Sequence, residues 1–251
     1  KPRINEEENS HWICDEGRYC FHSPTDGERV DSPLIRQEGG LVATDWETAL
    51  RTIFAGLSGT DPIAGLISGR NTNEEAFLFG RLLNQLSPRA ATEVFYRERA
   101  LSDTARILMS PDRSPNFRGA RDMGIGADGG MEVWLQRLIR NEFSSLYLVG
   151  EDLLSPSDAS SDILNALKKL PFLVVQDAYL SASARLAHVV LPGSNFAEKD
   201  GTYTNRKGRV QRVRAGLVAP PRVLPDWAVF SPLLAQARVQ TSFRSAEGIF
   251  Q

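Results

Sequence analysis

Cysteine, histidine and methionine are scarce here, numbering two, three and three among 251 residues. Two cysteines make no disulfide framework, and Cys14 and Cys20 stand too close in sequence for a bridge to close a useful loop. The histidines, His11, His22 and His188, have no Cys, His or carboxylate at metal-ligand spacing, so nothing supports a zinc site. Excess charge of one sign is also missing: 29 basic and 31 acidic residues are spread along the chain and leave a net charge of −2. That balance removes the electrostatic case for nucleic acid or an anionic membrane surface. No hydrophobic run approaches the roughly 18 residues needed to cross a bilayer. The opening KPRINEEENS has no apolar stretch of the signal-peptide kind. The sequence reads as cytoplasmic, reaching the inner membrane only through partner subunits, with no direct membrane insertion.

What is present is a 41% hydrophobic chain, long enough to bury a substantial core. Residues 1–40 are polar, punctuated by proline and by Gly39-Gly40, and show no sustained period, which reads as a loop-rich lobe. At Thr44 the character changes. Thr44 as N-cap with Glu47 three residues on predicts a capping box opening a helix over WETALRTIFAGL. DPIAGLIS then reads as a buried strand, and Thr72 with Glu75 as a second capping box for a helix to about Leu86. Strand and helix alternate again through SSLYLVG, SSDILNALKKL, PFLVVQD and HVVLP. Apolar strands alternating with helices predict an open, doubly wound, mostly parallel α/β sheet, with central strands at 63–67, 146–149 and 173–175. The organisation expected is a lobe over 1–40, an α/β domain over 41–217 and a C-terminal extension over 218–251.

GIGADG at 124–129 spells a dinucleotide fingerprint, but no strand feeds it, so a turn over the sheet is the reading. Ser68 in LISGR lacks the first glycine of a nucleophile elbow, and acyl transfer has no support. The richest segment is VVLPGSNFAEKDGTYTNRKGRVQRV. It reads as a strand followed by a long polar loop or hairpin at the carboxyl edge of the sheet, where open α/β sheets place ligands. Spacing alone leaves two roles open, a ligand site or a hairpin docking another subunit. A crevice lined by residues 68–71, 124–130 and 202–209 would draw on Ser68, Arg70, Asn71, Thr204, Asn205 and Arg209.

That same segment resembles the end of the α/β portion in the molybdopterin oxidoreductase superfamily, specifically in the large iron–sulfur subunit of NADH:quinone oxidoreductase, respiratory complex I. Further matches follow in order: PRINEEENSHWICDEGRY with VDSPLIR, TDWETAL, SGRNTNEEAFLFGRLL, NFRGARDMGI, VVQDAYLSASARLAHVVLP and PDWAVFSPLLAQ. The resemblance implies that 1–40 is part of an iron–sulfur lobe. It also implies that Cys14 is the last of four ligands to a 4Fe-4S cluster, a set that needs three further thiolates. Cys20 matches no ligand, so the cluster is expected only with ligands from outside this chain, from a preceding segment or a neighbour.

Catalytic members of the superfamily bind molybdenum or tungsten through a Cys, Sec or Ser after the first β-α unit. Residues 91–110 here hold no cysteine or histidine, so no molybdenum is expected. The resemblance therefore implies a non-catalytic structural and electron-transfer subunit of an NADH-linked multi-subunit oxidoreductase. Its partners would be flavin and iron–sulfur subunits, with APPRVLP at 219–225 against them. The alternative is a pterin- and molybdenum-dependent oxidoreductase of the formate dehydrogenase kind, or a subunit of a soluble NAD-linked hydrogenase.

Overall fold

The computed structural model describes residues 4–7, 10–13, 18–19, 27–97, 100–107, 111–126, 129–156, 159–241 and 243–251. Cys14 and Cys20, and with them the iron–sulfur ligand expected at Cys14, lie outside the described residues. Nine strands occur in the described chain: β1 (Leu34–Gln37), β2 (Gly40–Ala43), β3 (Ile63–Ser68), β4 (Ala91–Phe95), β5 (Ser145–Val149), β6 (Phe172–Asp177), β7 (Val189–Pro192), β8 (Gly201–Thr204) and β9 (Val210–Val213). The α-helices of these elements are α1 (Trp46–Leu57), α2 (Asn73–Leu86), α3 (Phe117–Asp122), α4 (Gly130–Ile139), α5 (Ser161–Lys169), α6 (Asp226–Gln236) and α7 (Ala246–Phe250).

Seven strands form one sheet in the order β2-β1-β7-β6-β5-β3-β4, with β3 to β7 parallel and β1 antiparallel to both its neighbours. The α/β sheet expected from the apolar runs is thus present. β3 and β5 are buried at every position, as a parallel strand covered on both faces must be. Alternate residues feed two cores. Ile63, Ile67, Tyr147 and Val149 pack with α1, α2 and α6 through Ile53, Phe79 and Phe230. Ala64, Leu66, Leu146 and Leu148 pack with α4 and α5 through Trp134, Leu138, Ile163 and Leu167. Helix α6, in the segment beyond residue 217, contributes Val229, Phe230, Leu233 and Leu234 to the first core.

Local chemistry explains the element ends. Thr72 Oγ1 accepts from the Glu75 amide at 3.3 Å and Glu75 Oε2 accepts from the Thr72 amide at 2.9 Å, the expected capping box. At α1 the cap is Asp45 instead of Thr44: its carboxylate accepts from the Thr48 amide at 2.8 Å. The Thr44 amide is already committed to the Pro33 carbonyl at 2.8 Å, which continues the β1–β2 hairpin and keeps Thr44 out of the helix. That hairpin begins before residue 40, and its four-residue strands are too short to show a period in the sequence.

The β4 edge is covered. All five of its residues are buried, and the α4 side chain Trp134 donates Nε1–H to the Ala91 carbonyl at 2.8 Å. Helix α2 lies close on β3 because Gly65 has no side chain. A Cβ there would stand 2.2 Å from Leu83 Cδ1 and 3.1 Å from the Phe79 ring. Gly65→Val is therefore expected to lower stability by about 1–3 kcal/mol through overpacking. At about 2–4 °C per kcal/mol, a thermal melt followed by circular dichroism reads this as a drop of several degrees.

Candidate active-site crevice

The strand order places the switch point of the sheet between β3 and β5: after β3 the chain crosses to β4, and after β4 it returns to the far side of β3. A crevice opens outside the carboxyl ends of strands at such a point. Here it encloses about 340 Å³ between the ends of β3, β5, β6 and β7 and the loop that leads to β8. That is a volume for a ring system or nucleotide-sized group. Backbone shape makes room for it. Gly150 turns the chain after β5 with φ +71, and a Cβ there would press on Asn71 Oδ1 at 3.0 Å. Gly193 lies so near the backbone of Asp177 that a Cβ would approach within 3.0 Å.

The floor is a buried charge cluster. Lys199 Nζ donates to Glu75 Oε2 at 2.9 Å and to Asp226 Oδ2 at 2.5 Å, and all three side chains are almost wholly out of solvent. Asn71 Nδ2 donates to the same two oxygens at 2.9 and 3.1 Å. Gln176 Nε2 donates to Asp226 Oδ1 at 2.8 Å, and Gln176 Oε1 accepts from the Tyr147 hydroxyl at 2.6 Å. Burial works against the charge of Lys199, but Asp226 and Glu75 more than offset it and hold the ammonium above the usual lysine range. Burial raises the Glu75 carboxyl in turn, as fits two carboxylates that share one cation.

The walls carry a second group of charges. Glu151 is saturated by the protein: Ser68 Oγ donates to it at 2.6 Å and Arg97 at 2.8 Å, with the Arg97 guanidinium 4.8 Å over the Phe95 ring. Asp152 is occupied by the Ser183 hydroxyl at 2.6 Å and by the amides of Ala182, Ser183 and Leu154. Asp177 is held more loosely, its carboxylate accepting a long bond of 3.3 Å from the Tyr179 amide and drawn on by the Ala178 amide beside it. Burial, with the Glu151 and Asp152 carboxylates nearby, lifts its carboxyl to about 7 against the pull of backbone amides. At the mouth Arg70 is exposed, and its guanidinium has no ion-pair partner among the described residues. Arg29 fastens the opposite rim, donating to Glu198 at 2.5 Å and to the Gly193 carbonyl at 3.4 Å.

Of the six crevice residues expected from sequence, Ser68, Arg70 and Asn71 line this space and Thr204, Asn205 and Arg209 do not. Thr204 is buried against α2, where Asn73 Nδ2 donates to its hydroxyl at 3.0 Å and its amide donates to Asn116 Oδ1 at 2.6 Å. Asn205 shapes the β8–β9 turn by accepting from the Lys207 and Arg209 amides, each at 3.0 Å, and Arg209 reaches Glu7 at 2.5 Å. Residues 124–126 and 129–130 are also away from the crevice. Gly126 instead makes room for the Arg121 guanidinium, 1.8 Å from where a Cβ would stand, and Arg121 pairs with the buried Glu93 at 3.0 Å. The polar loop divides its labour: residues 193–196 and 199 line the crevice, while the hairpin binds α2 through Thr202 and Glu74 at 2.8–2.9 Å. Glu151, Asp177, Lys199 and Asp226 escape motif reading. The first two were findable as the acids at or just past the carboxyl ends of SLYLV and FLVVQ. Among the described residues no group of three or more His, Cys, Asp or Glu could hold a metal, and no helix is long and apolar enough to cross a membrane.

Lys199→Met leaves Glu75 and Asp226 buried without their cation and is expected to cost about 3–5 kcal/mol in urea unfolding, with part recovered on adding Asp226→Asn. Asp177 holds its proton more tightly folded than unfolded. Its contribution to stability is therefore full below the unfolded value of 3.8 and lost as pH rises through about 7. Asp177→Asn should melt with the parent near pH 4 and above it at pH 8 when both are scanned without ligand.

A family model described as molybdopterin oxidoreductase matches residues 29–99 and 116–236. The chain is 45% identical over 107 residues to the alpha subunit of F420-dependent formate dehydrogenase 2 of Methanococcus maripaludis, covering 42% of this chain and 16% of that protein. It is 44% identical over 88 residues to the F420-dependent formate dehydrogenase alpha subunit of Methanocaldococcus jannaschii, covering 35% and 13%. Acetylene hydratase from Pelobacter acetylenicus aligns with a TM-score of 0.37 at 14% identity over 45% of this chain and 15% of that one, too slight a likeness to bear on either fold or function. The aligned segments thus span about a sixth or less of the formate dehydrogenase subunits. With the family model matched over most of its length, the chain belongs to the molybdopterin oxidoreductase family.

Proposed function

We propose that this chain is part of the large subunit of a formate-dehydrogenase-type molybdopterin oxidoreductase, and that its crevice holds the organic portion of the cofactor. The relatives named above are formate dehydrogenase alpha subunits, which moves the reading from the iron–sulfur subunit of complex I toward the alternative drawn from the sequence. The observation that carries it is the pairing, within one switch-point crevice, of the exposed cation Arg70 with the incompletely bonded carboxyl of Asp177.

The donor set fits such a group. The organic part of such a cofactor presents the N–H edge of a pterin ring and a phosphate on its side chain: Asp177 can accept from the ring while Arg70 opposes the phosphate charge. Gly150 and Gly193 keep side chains out of the space a flat ring would need. Ser68 and Arg97 each take one oxygen of Glu151, which leaves Asp177 as the acceptor that meets the ring. When bound, the cofactor supplies the metal at which formate gives up two electrons and a proton to become carbon dioxide. None of the described residues that line the crevice is a cysteine or histidine, so the share read for them is to hold and orient the organic part, with the metal's protein ligand supplied from elsewhere. Electrons would leave through flavin and iron–sulfur partners, with Cys14 completing a 4Fe-4S cluster whose other thiolates lie outside the chain.

A second reading, a scaffold without cofactor beside an electron-transfer chain, draws on the absence of Cys and His over 91–110. Native complex containing this chain should release a fluorescent pterin on acid oxidation and contain molybdenum or tungsten at about one per chain. Asp177→Asn and Arg70→Ala should each lower pterin retention about tenfold, the scale of one lost charge-assisted contact. Iron without pterin, molybdenum or tungsten would favour the scaffold.

A further inference from the structure

Beyond the crevice, the hairpin raises a separate question. RKGRVQRVR over 206–214 places five cations and no acid in nine residues, within a chain whose net charge is −2. β9 pairs with β8 alone, so its outer edge has no strand beside it among the described residues. By the two-residue period of a strand, Val210 and Arg212 share a face with Arg214 just beyond, and Gln211 and Val213 take the other. Val210 is 47% exposed and borders a groove of about 390 Å³ whose far wall is α7, where Phe250 is 59% exposed. Arg212, in the same groove, meets Asp200 at 3.3 Å and Glu247 at 3.5 Å. Arg206 and Arg214 are exposed and have no ion-pair partner among the described residues.

Charges on an edge strand often serve only to repel other edges. Two features here go beyond that. The charge is of one sign over residues 206–214, and the strip adjoins a groove with an apolar centre at Val210, Ala246 and Phe250 between the already bonded Glu74 and Glu247, which repulsion alone would not require.

We propose that the outer edge of β9, with the groove beside it, docks an extended acidic segment of a partner polypeptide. The segment adds a third strand to the β8–β9 ribbon, as in strand-addition recognition, where main-chain bonds hold the peptide and alternate side chains select it. Carboxylates at alternate positions face Arg214 and, in exchange for Asp200 and Glu247, Arg212, and an apolar side chain on that same face, two residues beyond the one at Arg212, enters the groove at Val210 and Phe250. Such pairing is steered by charge and weakens with salt. It is independent of what the crevice binds.

The test uses a fluorescein-labelled peptide Glu-Thr-Glu-Thr-Val-Thr-Glu-Thr-Glu, whose Glu and Val side chains share one strand face in either direction, read by anisotropy, with amide hydrogen exchange of the chain measured in parallel. Expected are saturable binding that falls about tenfold from about 20 to about 150 mM salt, slowed exchange in β9, and at least roughly tenfold weaker binding to Arg206→Glu/Arg214→Glu, whose exposed positions leave the fold intact by circular dichroism. No binding at the lower salt, unchanged affinity in the variant, or protection confined to other strands would overturn the proposal. So would equal or tighter binding of an oligouridine of matched charge, since the site would then be a general polyanion surface.

Discussion

One lysine buried between two carboxylates sets the shape of the crevice. Lys199 lies in the loop after β7, Glu75 in the first turn of α2 and Asp226 at the start of α6. These segments are far apart in sequence, and each would be a destabilising buried charge if the others moved away. Their mutual need fixes one loop and two helix N-termini at once. Asn71 and Gln176 then tie the ends of β3 and β6 to the same two acids. The crevice floor is therefore a rigid consequence of charge neutralisation, made by residues whose sequence positions give no hint that they meet.

Above that floor the walls follow from the sheet. Parallel strands put all their carboxyl ends on one side, so the residues that end β3, β5 and β6 converge without any special device. What distinguishes them is how completely each is satisfied. Glu151 and Asp152 spend their acceptors inside the protein, whereas Asp177 does not. A pocket in which most polar groups are fixed, one carboxyl is only loosely bonded and one cation is exposed is prepared for a ligand that has both donors and negative charge.

The sheet was legible because IAGLIS, SLYLV and FLVVQ are apolar runs of strand length bounded by turns, and because Thr72 and Glu75 meet within one helical turn. The shift from Thr44 to Asp45 was not, since both are good caps and a hydrogen bond to Pro33 decides between them. Ser68, Arg70 and Asn71 could be placed at the crevice because they follow a recognisable strand directly. Thr204, Asn205 and Arg209 could not be excluded from it, because a polar hairpin looks the same whether it faces a ligand or packs on α2. Local pattern carries little information on pairings such as Lys199 with Glu75, which lie 124 positions apart.

The tryptophan bond at β4 has a further consequence for how the sheet meets other chains. With Trp134 spending its indole N–H on Ala91 and α4 lying over the strand, that border is closed to backbone recruitment from outside. The opposite border ends in β2, only four residues long and followed directly by the cap of α1. Too short to template a long foreign strand, it leaves the seven-stranded sheet with little purchase for cross-chain growth, without any proline at either border strand.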